Sequence, residues 1–121
     1  MVDQEINEET IFHKIIKKDI PSKMVYEDEE VYAFKDINPC APFHCLVIPK
    51  RMEGLSSLAK ADNSHIDILG KLLLAVSKIA EQEKLEKGFR TVINTGEEGG
   101  QTVNYIHIHI LAGRNLSWPP G

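Results

Sequence analysis

A chain of 121 residues with 42% hydrophobic content can fill one compact core but not two, so a single domain is expected. Its 18 acidic residues outnumber its 14 lysines and arginines, and the cations are scattered, which excludes the basic surface a duplex nucleic-acid binder needs. No apolar run approaches membrane-spanning length, and Met1-Val2-Asp3-Gln4-Glu5 is acidic where a secretory leader carries positive charge. A soluble protein of the cytoplasm, with the nucleus also open to it, is expected, with Cys40 and Cys45 kept as free buried thiols by the reducing compartment.

Residues 1–8 are polar, acidic and aperiodic, and read as a flexible tail ahead of one domain over 9–121. Ile11, Phe12, Ile15 and Ile16 then repeat at helical spacing, with Asn7 or Thr10 as cap and Ile20-Pro21 as stop. Met24 to Tyr26 and Val31 to Phe34 suit two strands joined by the acidic turn Glu27-Asp28-Glu29-Glu30. A loop from Asp36 to Pro42 leads into Phe43 to Ile48, apolar on both parities, which predicts a central strand covered on both faces and ended by Pro49. Between Asp62 and Lys87, residues Ile66, Leu69, Leu73, Val76 and Ala80 step by three and four, predicting a long helix closed by Gly88. Leu72 and Ile79 widen its apolar face, enough to touch both its own sheet and another subunit. Phe89 to Asn94 reads as a strand, a glycine-rich turn follows, and Val103 to Leu111 reads as the last strand.

That last strand carries the chemistry. Alternation would turn Ile106, Ile108 and Ile110 into a core and set Tyr105, His107 and His109 together on the other face. Two imidazoles two residues apart, about 6.5 to 7 Å along a strand, can converge on one phosphate. An imidazole titrating near neutrality serves as nucleophile and as proton carrier. Just upstream, Gly96, Gly99 and Gly100 free the backbone to turn amides toward an anion, and Thr102 adds a hydroxyl. No Lys-Ser or Lys-Thr follows those glycines, so a Walker-type nucleoside triphosphatase is excluded. A zinc site would need further ligands from Cys40, His44 and Cys45. His44 and Cys45 are strand neighbours facing opposite ways, so at most one can join the pair, and neither a metal nor any other cofactor is expected.

At these residues the chain resembles the histidine triad family, whose signature alternates three histidines with apolar residues, and within it the Hint branch. The resemblance extends over Thr10 to Pro21, Ala33 to Ile37, Ala41 to Lys50, Gly99 to Thr102 and the closing Trp118-Pro119-Pro120-Gly121, nearly the whole chain beyond its tail. It implies an α+β fold, a five-stranded antiparallel sheet with two main helices, paired into a homodimer with a continuous sheet through the long helix and the strand Phe89 to Asn94. It also implies a purine nucleoside phosphoramidase in which His107 attacks the α-phosphorus to give a nucleotidyl-histidine, which water then hydrolyses. His109 would contact the phosphate and move protons, His44 would orient the nucleophile, and Thr102, where the branch usually has serine, would serve the leaving nitrogen.

For the nucleoside, the resemblance maps a ribose-binding carboxylate onto Asp36 and purine walls onto Phe12, Ile15, Phe34 and Ile37, residues that burial alone would assign to ordinary core and turn. Asn94, Gly100 and Gln101 would complete the ribose and phosphate contacts, and Trp118 would reach the partner's site. The implied partners are a purine nucleoside monophosphate or phosphoramidate and a second copy of the chain, with no membrane and no sequence-specific nucleic acid. One position departs from the family pattern: Tyr105 stands where the first triad histidine belongs. A tyrosine hydroxyl can still hydrogen-bond there, so activity is expected to persist at a reduced rate. If Tyr105 instead disables turnover, a non-catalytic nucleotide-binding scaffold results. A dinucleoside polyphosphate hydrolase of the Fhit branch is the remaining alternative, opposed by the Trp118 to Gly121 ending. His13 and His65 lie outside every motif and read as exposed helix-surface residues.

Overall fold

Thr10 starts the first helix. Its hydroxyl accepts from the amides of Phe12 and His13, and Nδ1 of His13 accepts in return from the Thr10 amide at 2.9 Å, a capping box with histidine in the third position. His13 is therefore a half-buried cap residue rather than an exposed one, its ring 4.8 Å from that of Tyr105. The helix, α1, spans Ile11–Ile16 and turns Phe12 and Ile15 inward. It stops before Ile20-Pro21, because Lys18 enters the left-handed region at φ 66° and Asp19 donates back to the Lys14 carbonyl at 2.9 Å. These elements come from a computed structural model that describes residues 9–121, so the expected tail over 1–8, and the Asn7 cap with it, lie outside the described residues.

The sheet follows the predicted order with adjusted ends. Strands β1 (Met24–Glu27) and β2 (Val31–Lys35) form a hairpin, whose turn is held by Asp28 accepting from the amides of Glu30 and Val31, both at 2.8 Å. β3 (Phe43–Pro49) is central, buried from His44 onward, and pairs antiparallel with β2 and with β5 (Ile108–Ala112). β4 (Arg90–Val92) is shorter than the predicted Phe89 to Asn94 and forms an edge, giving the order β1-β2-β3-β5-β4.

The long helix, α2, spans Ile66–Gln82 and so falls short of the Asp62 to Lys87 reading at both ends. At its start Asp62 caps a separate 3-10 turn over Asn63–His65. His65 closes that turn's capping box and reaches the Glu53 carbonyl at 2.9 Å, so it too is buried, contrary to the surface reading. At its end Lys84 takes φ 56° while Leu85 donates to the Ala80 carbonyl at 2.9 Å, a Schellman closure four residues before Gly88. The buried stripe is Leu72, Ala75, Val76 and Ile79, whereas Ile66 and Leu73, counted among the inward positions from spacing, are 66% and 56% exposed.

Strand parity divides the core in two. Val31, Ala33, Cys45, Val47, Ile108 and Ile110 face α2, and Tyr32, Phe34, Leu46 and Ile48 face α1. The predicted strand over Val103 to Leu111 is regular only from Ile108. Before it, Ile106 donates to the Leu55 carbonyl at 2.9 Å, and Tyr105 and Ile106 both pack into the α1-side core, so the expected alternation fails there. Of the two thiols Cys45 is buried, with desolvation pushing it up to about 12, while Cys40 is exposed in its loop, against the expectation that both are buried.

Candidate active site

The α1 face of the sheet opens into a cavity of about 780 Å³. Phe12 and Ile15 from α1, Phe34 from β2 and Leu46 from β3 make its apolar wall, with Ile37, 88% exposed, at the rim. Asp36, Thr102, His107 and His109 supply polar groups, and Lys23 and Lys35 add positive charge. The dimensions and lining suit a flat, apolar group tethered to an anion.

His107 sits one residue before β5, buried, its ring in a T-shaped contact with that of Phe12 at a centroid distance of 5.1 Å. Its Nδ1 lies 2.7 Å from the carbonyl oxygen of Tyr105. A carbonyl only accepts, so Nδ1 carries the proton and Nε2 keeps its lone pair. Burial depresses the basicity of His107, opposed by that carbonyl and by the charge of Asp36, so the ring is neutral and available as a nucleophile at neutral pH.

His109 and His44 meet across the β3–β5 ladder, where Leu46 pairs with His109 and His44 with Leu111, a diagonal that brings both rings to one face. Nε2 of His44 lies 2.9 Å from Nδ1 of His109. The backbone amide of Cys40 points at Nδ1 of His44 from 3.0 Å, and an amide only donates. The proton of neutral His44 is thereby forced onto Nε2, from which it donates to His109 Nδ1, leaving the His109 proton on its own Nε2. The two triad histidines thus carry opposite tautomers. His109 is held down to about 4, by burial first and then by His107 and His44, so it too is neutral.

Asp36 stands beside this pair, its Oδ2 3.5 Å from Nε2 of His44, while its Oδ1 accepts from the Asn38 amide at 2.8 Å. Asp36, His44 and His109 bring potential ligand atoms within 4.8 Å of one another. The cluster nonetheless does not fit a divalent ion. Ligation through His44 Nε2 needs a lone pair where the Cys40 amide has placed a proton, and moving that proton to Nδ1 would set two N–H groups head to head.

Other residues predicted for the site lie around it. His44 stands behind His109 rather than in the cavity wall, and Thr102 is at the mouth. Asn94 donates to the Gly99 carbonyl at 2.7 Å. Gln101 accepts from the Gly96 amide at 3.0 Å and donates to the Ser56 and Val103 carbonyls at 2.7 and 2.9 Å. Both side chains therefore shape the loop. Glycine is required within it, since a Cβ on Gly99 would lie 2.2 Å from the Thr95 oxygen and Gly100 takes φ 82°. Trp118 is 80% exposed and does not line the cavity of its own chain. Sequence reasoning missed Ile11, Ile20, Ser22 and Lys23 as lining residues. Ile20 was legible only as a helix stop, and nothing in the local pattern marks the return of 20–23 past the cavity.

A profile of the HIT domain matches residues 17–116. A 14 kDa zinc-binding protein of Zea mays is 60% identical over 112 residues, covering 93% of this chain and 88% of its own length. Adenylylsulfatase HINT1 of Arabidopsis thaliana is 54% identical over 112 residues, 93% of this chain and 76% of its own. The crystal structure of a HIT family hydrolase from Legionella pneumophila superposes with a TM-score of 0.89 at 39% identity, covering 93% of this chain and all of that one.

Proposed function

Since the chain belongs to the HIT domain family, in its Hint branch, we propose that it is a purine nucleoside phosphoramidase working through a nucleotidyl-histidine. The observation that carries this reading is the Tyr105 carbonyl holding the proton of His107 on Nδ1, which leaves Nε2 free beside the cavity. His107 Nε2 attacks the α-phosphorus, the P–N bond breaks, and the amine leaves with a proton. His109 Nε2–H donates a hydrogen bond to the phosphoryl oxygens and keeps its proton, while the leaving nitrogen takes a proton from water relayed by the Thr102 hydroxyl at the mouth, the resulting hydroxide being neutralised in the hydrolytic step. Water then attacks the same phosphorus, freeing the nucleoside monophosphate and His107. The purine rests on Phe12, Ile15, Phe34 and Ile37, and Asp36 accepts from the ribose hydroxyls.

A second reading takes its support from the name of the Arabidopsis relative. With adenylyl sulfate the attack at phosphorus is the same, but sulfate departs without needing a proton, whereas an amine does. The Thr102 hydroxyl lining the cavity, able to pass that proton, favours the amine. Zinc, named for the Zea mays relative, has no part in this cycle, because the cluster of Asp36, His44 and His109 does not fit it.

The reading extends to a homodimer in the cytoplasm or nucleus. Ile66, Leu73 and Leu74 on α2 and Phe89 beside β4, which pairs with β5 on one side and is an edge on the other, are all more than two-fifths exposed, apolar surface that a second copy would cover. No helix among the described residues is long and apolar enough to cross a membrane. The test is release of adenosine monophosphate from adenosine 5′-phosphoramidate, with and without chelator, by the native protein and by His107→Ala. Chelator-resistant turnover lost in the variant is expected, and nucleotide binding without turnover would overturn the proposal.

A further inference from the structure

We infer that Arg114 is a positioning residue that sets the proton order of the His44–His109 pair through the backbone of Cys40. The inference rests on the proposed use of His109 as the donor facing phosphate. The Cys40 amide that polarises His44 belongs to an exposed loop, and a donor on a wandering loop would fix nothing. Two contacts from the segment after β5 hold it. The Arg114 guanidinium donates through Nη2 to the Cys40 carbonyl at 3.0 Å and through Nη1 to the Asn115 carbonyl at 3.2 Å. Gly113, at φ 100°, packs so closely on Pro42 that a Cβ would lie 2.7 Å from the Pro42 Cβ.

Cys40 is thus pinned on both sides of its Cα, its carbonyl by Arg114 and its amide by His44. The planar guanidinium suits this task because its donors are fixed in one fork, so that one side chain ties the loop to its own strand end. With the amide in place the order runs from Cys40 N–H to His44 Nδ1, from His44 Nε2–H to His109 Nδ1, and from His109 Nε2–H to the cavity. Release of Cys40 lets His44 take either tautomer. In the reversed order His44 Nδ1 carries the proton, His44 Nε2 accepts from His109 Nδ1–H, and His109 turns a lone pair toward the phosphate oxygens, which repels them.

The experiment is nitrogen-15 NMR of the histidine rings in the full chain without substrate, on the native protein, Arg114→Met and Arg114→Lys. Each is also assayed with adenosine 5′-phosphoramidate. The native spectrum should show unprotonated Nδ1 and protonated Nε2 at His44 and His109, with the reverse at His107. Arg114→Met should give mixed tautomers at His44 and His109 only, and kcat lower by about tenfold with KM within about twofold. Arg114→Lys, which restores one donor, should recover much of both. Native tautomers in Arg114→Met, or a fall in kcat unaccompanied by a tautomer change, would overturn the inference. The spectra need no turnover, so a native protein that fails to cleave the phosphoramidate would sink the proposed reaction while leaving the tautomer comparison decisive.

Discussion

The carbonyl oxygen of Tyr105, not its side chain, holds the proton of His107, at 2.7 Å from Nδ1. The tyrosine hydroxyl points elsewhere, donating to the Pro49 carbonyl in a fully buried position. The expectation that this hydroxyl replaces an imidazole behind the nucleophile is therefore corrected. Any residue at 105 offers the same carbonyl, so the tautomer of His107 does not depend on the Tyr105 side chain. Tyr105→Phe should leave kcat within about twofold, while the unsatisfied Pro49 oxygen costs about 1 kcal/mol in urea denaturation. A hundredfold loss of kcat with stability unchanged would contradict this assignment.

Removal of the nucleophile separates chemistry from binding. His107→Asn should lower kcat by a factor on the order of 10⁴ or more and leave the affinity for adenosine monophosphate within about threefold, as calorimetry would read it. Residual turnover within tenfold of native would mean that another group attacks phosphorus.

The pH dependence follows from two histidines buried in their neutral form. Burial lowers His107 and takes His109 down to about 4, below the ordinary histidine value of 6.5. Between those values the unfolded chain binds more protons than the native one, so stability rises with pH across that window and is lost as pH falls through it. Urea midpoints should climb from pH 4 to about pH 6.5 and level off, and His109→Asn should flatten the slope. The acid limb of kcat/KM should likewise fall below 6.5, since His107 stays unprotonated to lower pH than a free imidazole. An acid limb above 6.5 would contradict the burial argument.

Both helices end on a lysine in the left-handed region, Lys18 at φ 66° and Lys84 at φ 56°. A side chain there costs about 1 kcal/mol or more that glycine avoids, partly offset by the freedom glycine adds to the unfolded chain. Lys84→Gly should therefore stabilise the protein by about 0.5 kcal/mol, read as a higher urea midpoint with unchanged activity. A lower midpoint would show that the Lys84 side chain contributes more than its backbone strain removes.

The sequence by itself determined much of this protein. Val31 to Phe34 and Phe43 to Ile48 were legible as strands because a strand covered on both faces is apolar at successive positions, and Val31 to Phe34 and 44–48 are all buried. The opposed faces of His44 and Cys45 followed from the same parity. His107 and His109 were legible as a pair, their rings 5.1 Å apart, because their spacing survives even where the strand does not. Helix ends were misread where glycine and proline signals competed with closures on lysine, since φ is set by the Schellman hydrogen bonds and only biased by residue type.

Only the tertiary structure decided the protonation pattern of the site. That pattern depends on three backbone groups, the carbonyl of Tyr105, the amide of Cys40 and the carbonyl of Cys40, and on Arg114, seventy-four residues away along the chain. Every residue carries the same amide and carbonyl, so no side-chain pattern announces which of them will face an imidazole. The choice is made when β3 and β5 pair and bring the loop, the strand end and the histidines into one place.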